Sequence, residues 1–168
     1  TKTKAGYEYL LAYKITIPIY DYTVEFCHRW IDYKSRTKDQ MEQAARSGSV
    51  NIAEGSAQKS LSSYIKLSGV AVGSQEELLK DYLSFARQHQ LPIWEKDRVS
   101  REVREVGPDS PHFPNLPEDL TKAVNLMITL TNQANYLIKK LIISLELKHT
   151  QEGGFSENLL KKRLAYRN

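Results

Sequence analysis

The chain has one cysteine, Cys27, in 168 residues. That excludes an internal disulfide and makes a reducing cytosol the expected compartment. Proline is nearly confined to one region: five of six prolines fall between Pro92 and Pro117, with Pro18 the exception. Long apolar runs are missing; a stretch such as Leu141 to Leu145 is far too short to span a bilayer, and the first residues carry no apolar signal-like segment. Alternating strand patterns are also missing, which argues against a β fold. There is no phosphate-binding glycine loop, and no serine sits in a nucleophile context.

Charge is unevenly spread. The formal net charge is +4. Lys2 and Lys4 contribute two of these. Lys161, Lys162, Arg163 and Arg167 against Glu157 contribute three more, so residues 5–154 carry −1 by difference. The body is near neutral and the ends are basic.

Hydrophobic periodicity gives four long helices. The first is expected from Tyr7 to Tyr33, with one stripe of Ile15, Ile19, Tyr22, Phe26, Trp30 and Tyr33 and a second of Tyr20, Val24, Cys27 and Ile31. Pro18 should kink it or begin its regular part. The second is expected from Asp39 to Ala57, on a stripe of Met41, Ala45, Gly48, Ile52 and Gly55. The third starts after Ser60 or Ser62 and runs to about His89. Its face holds Leu61, Ile65, Val72, Leu79 and Tyr82, with Ser68 and Gln75 as polar members. An irregular connector follows from Leu91 to Pro117, with a short polar helix from Glu95 to Val106 inside it. The fourth helix opens near Pro117 and Glu118. Its stripe is Leu120, Val124, Met127, Thr131, Ala134, Ile138, Leu141 and Leu145, widened by Leu126, Leu130 and Leu137. The extra width calls for two neighbours or burial in an oligomer. Gly153 and Gly154 end it, and a short basic segment follows.

The expected fold is therefore all-α: an antiparallel up-and-down four-helix bundle over residues 1–154, with the connector at 91–117 and a basic suffix at 155–168. No internal repeat supports a solenoid.

Two Glu-x-x-His motifs, Glu25 to His28 and Glu146 to His149, with Glu54 and Glu77 as further carboxylates, match the residue inventory of a di-iron bundle. Their placement opposes it. Asp21, Glu25, His28 and Asp32 share one polar face; Asn135, Lys139, Glu146 and His149 share another. Both motifs also lie near the C-terminal ends of helices expected to run antiparallel. Solvated faces, no metal and no cofactor are the expectation, and a metal-dependent bundle enzyme is the alternative. Cys27 lies on an apolar stripe and reads as a small core residue. The basic residues Lys34, Arg36 and Lys38 between the first two helices, Lys59 in the next connection, and Lys161, Lys162, Arg163 and Arg167 in the suffix are candidates for nucleic-acid phosphates. Tyr166 is placed to stack on a base.

The densest signal is the segment from Arg46 to Gly55, a thin helix of small residues carrying Arg46 and Glu54 about two turns apart. With Glu77, these are the charges expected to be partly buried and in contact, as a polar network that fixes helix register, with a ligand site as the alternative. Asn51-Ile-Ala-Glu54-Gly55, the serine-rich connection after it, and Gly73-Ser74-x-x-Glu77-Leu78 resemble the signature of the four-helix bundle proteins encoded in intervening sequences of bacterial 23S ribosomal RNA genes. The match covers the second and third helices closely and the helix order loosely. The connector and the Gly-Gly-Phe-Ser-Glu-Asn-Leu tail resemble a suffix-bearing subgroup. This resemblance implies a bundle that assembles into a ring, typically a pentamer. It also implies kinship with the accessory variability proteins of diversity-generating retroelements, basic pentameric barrels that bind reverse transcriptase and RNA. The near-neutral body and the long connector depart from those relatives. The functional expectation is a non-enzymatic, homo-oligomeric scaffold or adaptor, nucleic-acid-associated through its basic ends. The alternative is a protein-only scaffold using the Leu91 to Pro117 connector.

Overall fold

The computed structural model describes residues 4–103 and 115–168; the prolines at 108, 111 and 114, His112 and the end of the expected connector helix lie outside the described residues. Among the described residues the chain is all-helical. α1 spans Lys4–Trp30, α2 Arg36–Ser56, α3 Leu61–Gln88, α4 Lys96–Glu102, α5 Leu120–Glu152 and α6 Phe155–Arg167. Among the described residues no helix is long and apolar enough to cross a membrane.

Side-chain caps set the starts of three helices. The Ser35 hydroxyl accepts from Thr37 N at 3.1 Å and starts α2. Ser60, not Ser62, caps α3, accepting from Ser63 N. Asp119 caps α5, accepting from Lys122 N at 2.9 Å. Each satisfies an amide that the first turn would leave unbonded. At the far end of α5, Gly153 has φ +78, a conformation that glycine adopts without Cβ strain. α1 runs through Pro18 rather than starting there, and the residue is buried.

Five helices pack together. α1 packs on α2, α2 on α3, α3 on α5, and α5 back on α1, while α4 lies on α5. One core cluster gathers Ile15, Ile19, Phe26, Leu78, Tyr82 and Met127; a second holds Ala12, Ile52, Ala71, Ile138, Leu141 and Leu145. Phe26 stands edge-on to Trp30, Tyr82 and Phe85, with centroids 4.9, 5.1 and 5.0 Å away. These are the favoured edge-to-face geometries. The Tyr82 hydroxyl is satisfied by Thr23 Oγ1 at 2.8 Å.

The wide apolar stripe of the fourth long helix has an intramolecular explanation. Every residue from Ala123 to Ile128 is buried, because the connector folds over the first half of α5. Val99 of α4 and Leu116 are buried there, with Leu91 and Val103 packed alongside. Asn125 clasps the connector: its Oδ1 accepts from Trp94 N at 2.7 Å, and its Nδ2 donates to Pro92 O at 2.9 Å. Arg29 Nη1 donates to the carbonyls of Leu116 and Pro117, both at 3.1 Å, tying the end of α1 to the start of α5.

Candidate functional site

The small-residue segment of α2 meets α3 through a short polar seam. Asn51 Nδ2 donates to Ser47 O and Ser47 Oγ, each at 2.9 Å, and the Ser47 and Ser74 hydroxyls are 2.8 Å apart. Two motif residues, Asn51 and Ser74, are thus linked through Ser47, a residue not singled out from the sequence. Close packing explains two of the glycines. A Cβ on Gly55 would lie 3.0 Å from Tyr64 Cδ1, and one on Gly48 would lie 2.1 Å from Gln75 Nε2. Gly69 and Gly73 differ: a Cβ there meets nothing within 4 Å, and both residues are exposed.

Arg46, Glu54 and Glu77 are exposed, contrary to the expectation that they are partly buried and touch one another. None forms an ion pair among the described residues, whose ion pairs are Arg29 with Glu25, Lys38 with Glu42, and Lys139 with Glu76. The reason is helical phase. Arg46 follows the buried Ala45 by one residue, about 100° around the helix, which turns it out of the seam. Register is fixed instead by the neutral Asn51–Ser47–Ser74 link and by the fit of Gln75 to Gly48.

The two Glu-x-x-His motifs stay apart from any ligand set. Glu25 is engaged by Arg29, His28 is exposed, Glu146 is exposed, and His149 is half-buried. Among the described residues no group of three or more His, Cys, Asp or Glu is placed to hold a metal ion. Cys27 is buried, and burial, with the Glu42 charge second, pushes its thiol up to about 12. Its neighbour Asp81 is also raised, first by burial and then by the Glu77 charge.

The basic residues separate into two groups. Lys34, Arg36 and Lys38 sit around the α1–α2 turn. There Lys38 is held by Glu42 at 3.2 Å, which raises its ammonium, and Lys34 lies over the Tyr33 ring. Lys59, in the α2–α3 turn, joins Lys148 of α5 and the start of α6 around one cleft. Lys161, Lys162, Arg163 and Arg167 follow on α6, all exposed, as is Tyr166. α6 buries none of its residues.

Sequence reasoning missed three features. Glu8 is 3% exposed on the core face of α1, and neither carboxylate oxygen has a hydrogen-bond partner. The available signal was its position four residues before Ala12 and seven before Ile15, in phase with the buried stripe. Ser68 and Gln75 were placed on the α3 core face, but their hydroxyl and amide are buried without partners. Lys148 was passed over because α5 reads as a core helix. No protein-family model, curated protein or solved structure matches the chain.

Proposed function

We propose that this chain is a non-enzymatic, homo-oligomeric scaffold or adaptor of the cytoplasm, built on an antiparallel up-and-down four-helix bundle and needing no cofactor. The resemblance of the Asn51–Gly55 and Gly73–Leu78 segments supports membership of the 23S intervening-sequence protein family. The closed cycle of contacts α1–α2–α3–α5 supports the bundle topology.

One observation carries the oligomer: α5 exposes Tyr136, Ile143 and Leu147 at 65, 65 and 56%. Their spacing of seven and four puts them on one outer stripe, opposite Ala134, Ile138, Leu141 and Leu145. Lys139 and Lys140 stand between Tyr136 and Ile143 on this face, so the stripe is apolar with a basic interruption; large apolar side chains grouped in water mark a contact surface. The open strip at Gly69 and Gly73 is a shallow place where another helix can approach closely. Each of these glycines costs about 1 kcal/mol relative to alanine, and no contact within the described chain offsets it. A protruding stripe and a thin strip are unlike surfaces. Contacts between unlike surfaces run head to tail and form a ring where the rotation between copies closes, an open filament where it does not; the resemblance implies a ring of five.

The basic end supports nucleic-acid contact, with RNA, DNA or a reverse transcriptase complex as the partner. Lys59 and Lys148 flank one cleft, and α6 adds four cations and an exposed tyrosine beyond it. Binding should be salt-sensitive. Removing residues 155–168 is expected to lower affinity for single-stranded RNA about tenfold or more and to reduce the salt slope by roughly 2 to 3. Unchanged affinity and slope in the truncated chain would reject this mechanism. A protein-only scaffold is favoured by a different observation: the Asn125 clasp presents Ile93 at 56% exposure on the connector. In that case full-length protein binds no RNA at physiological salt.

A further inference from the structure

The cleft flanked by Lys59 and Lys148 also has an apolar lining, which phosphate contact does not use. It has a volume of about 510 Å³ and lies where the first turns of α1, the α2–α3 turn, the end of α5 and the start of α6 meet. Clefts of this size hold drug-sized organic molecules. Its walls are of two kinds. Leu145, 1% exposed, belongs to the second core cluster, with Leu61 and Tyr64 packed against it. Phe155 completes the apolar lining from α6. The same lining includes four residues that carry hydrogen-bond donors: Lys59, Lys148, Tyr9 and Tyr64.

Neither lysine forms an ion pair among the described residues. Among the described residues the one carboxylate lining the cleft is Glu152, which is exposed, whereas Lys148 one turn earlier is half-buried. The lining therefore carries two cations against one anion. The Tyr64 phenol is pushed up to about 12 by burial, so it is a donor at neutral pH and adds no negative charge. An apolar floor with two free ammonium groups and two phenolic donors is complementary to a molecule with a flat apolar body and one acidic group.

We propose that this cleft is a binding site for a small organic anion, its acidic group held between Lys59 and Lys148 and its apolar body lying on Leu61, Leu145 and Phe155. The site is distinct from the outer stripe of α5 that carries the oligomer. It occupies the junction from which α6 departs, so an occupant touches both the bundle and the basic helix.

The test uses two fluorescent probes on the full chain: 8-anilinonaphthalene-1-sulfonate, and N-phenyl-1-naphthylamine, which shares its aromatic body but lacks the sulfonate. Saturable binding of one sulfonate per chain is expected, about five- to tenfold tighter than the uncharged probe. Lys59→Ala with Lys148→Ala should abolish that preference while leaving the uncharged probe unaffected. Tyr9→Ala should weaken both probes. Lys140→Ala, an exposed lysine outside the cleft, should change neither. Lys59 is exposed and Lys148 half-buried, and an unaltered circular dichroism spectrum confirms folding of the double variant. Equal affinity for the two probes, binding without saturation, or a preference that survives the double substitution would overturn the proposal. Light scattering on the same variant separates this outcome from the oligomer: loss of the probe preference with unchanged mass touches the cleft alone.

Discussion

Gly48 and Gln75 are fitted to each other across the α2–α3 contact: a Cβ on residue 48 would lie 2.1 Å from Gln75 Nε2 and 3.0 Å from its Cδ. Gln75 is fully buried, so its amide has little room to swing aside. Alanine at 48 gains about 1 kcal/mol of helix propensity but must displace a packed side chain, at a cost of typically 1–3 kcal/mol. Gly48→Ala is expected to lower stability by about 1 kcal/mol. In a Gln75→Ala background the same change should be neutral or stabilising. A double-mutant cycle by urea denaturation measures the coupling; additive effects would show that the two residues are independent.

Glu8 is the next position where the core departs from apolar packing. Its carboxylate is buried on the α1 core face without a partner. Leaving such a group unsatisfied costs about 1–3 kcal/mol, and a shape-matched apolar replacement avoids it. Glu8→Leu is therefore expected to raise stability by about 2 kcal/mol, or roughly 5 °C in Tm for a chain of this size. A fall in Tm would mean that the carboxylate has a function or partner that depends on its charge.

Much of this was legible in the sequence. Polar caps and 3–4 spacing are local signals, so the helix ends at Ser60 and Gly153 and the buried stripe of α5 came through. The charges of the α2–α3 segment did not. Arg46 and Glu54 look buried beside Ala45 and Gly55 in a linear reading, yet one residue of phase turns each outward. The width of the α5 stripe called for two neighbours or burial in an oligomer, and over its first half the described chain supplies a neighbour in α4 and Leu116. That ambiguity is physical: apolar area specifies that a surface is covered, not which segment covers it. The cleft was invisible for a related reason, since Tyr9, Lys59, Lys148 and Phe155 converge only through the tertiary fold.

Asp81 gives stability a defined pH dependence. Burial, and then the Glu77 charge, raises its carboxyl above the ordinary 3.8 in the folded chain. The folded state then binds the proton more tightly than the unfolded chain does. This contribution favours folding below about pH 3.8, is lost as pH rises through the raised folded value, and is absent at neutral pH. Asp81→Asn should be more stable than the parent at pH 7, with the difference vanishing below pH 4. Thermal melts at pH 3.5, 5 and 7 check this. A variant that is less stable at pH 7 would mean that the charged carboxylate is favourably paired.

Gly69 and Gly73 separate fold from assembly. Alanine at either position has open space within the chain. In an isolated bundle each substitution should stabilise by roughly 0.5–1 kcal/mol. Where a second copy approaches this strip, Gly73→Leu should weaken self-association while leaving the helical circular dichroism spectrum intact. Self-association unaffected by Gly69→Leu and Gly73→Leu together would remove this strip from the interface.

The central claim is that the chain works as a homo-oligomer. Size-exclusion chromatography with multi-angle light scattering at micromolar concentration tests it most directly. A mass that is a whole multiple of 19.3 kDa is expected, five-fold for the ring that the resemblance implies, falling when Tyr136, Ile143 and Leu147 are replaced by polar residues. A mass of 19.3 kDa for the unaltered chain would contradict the account.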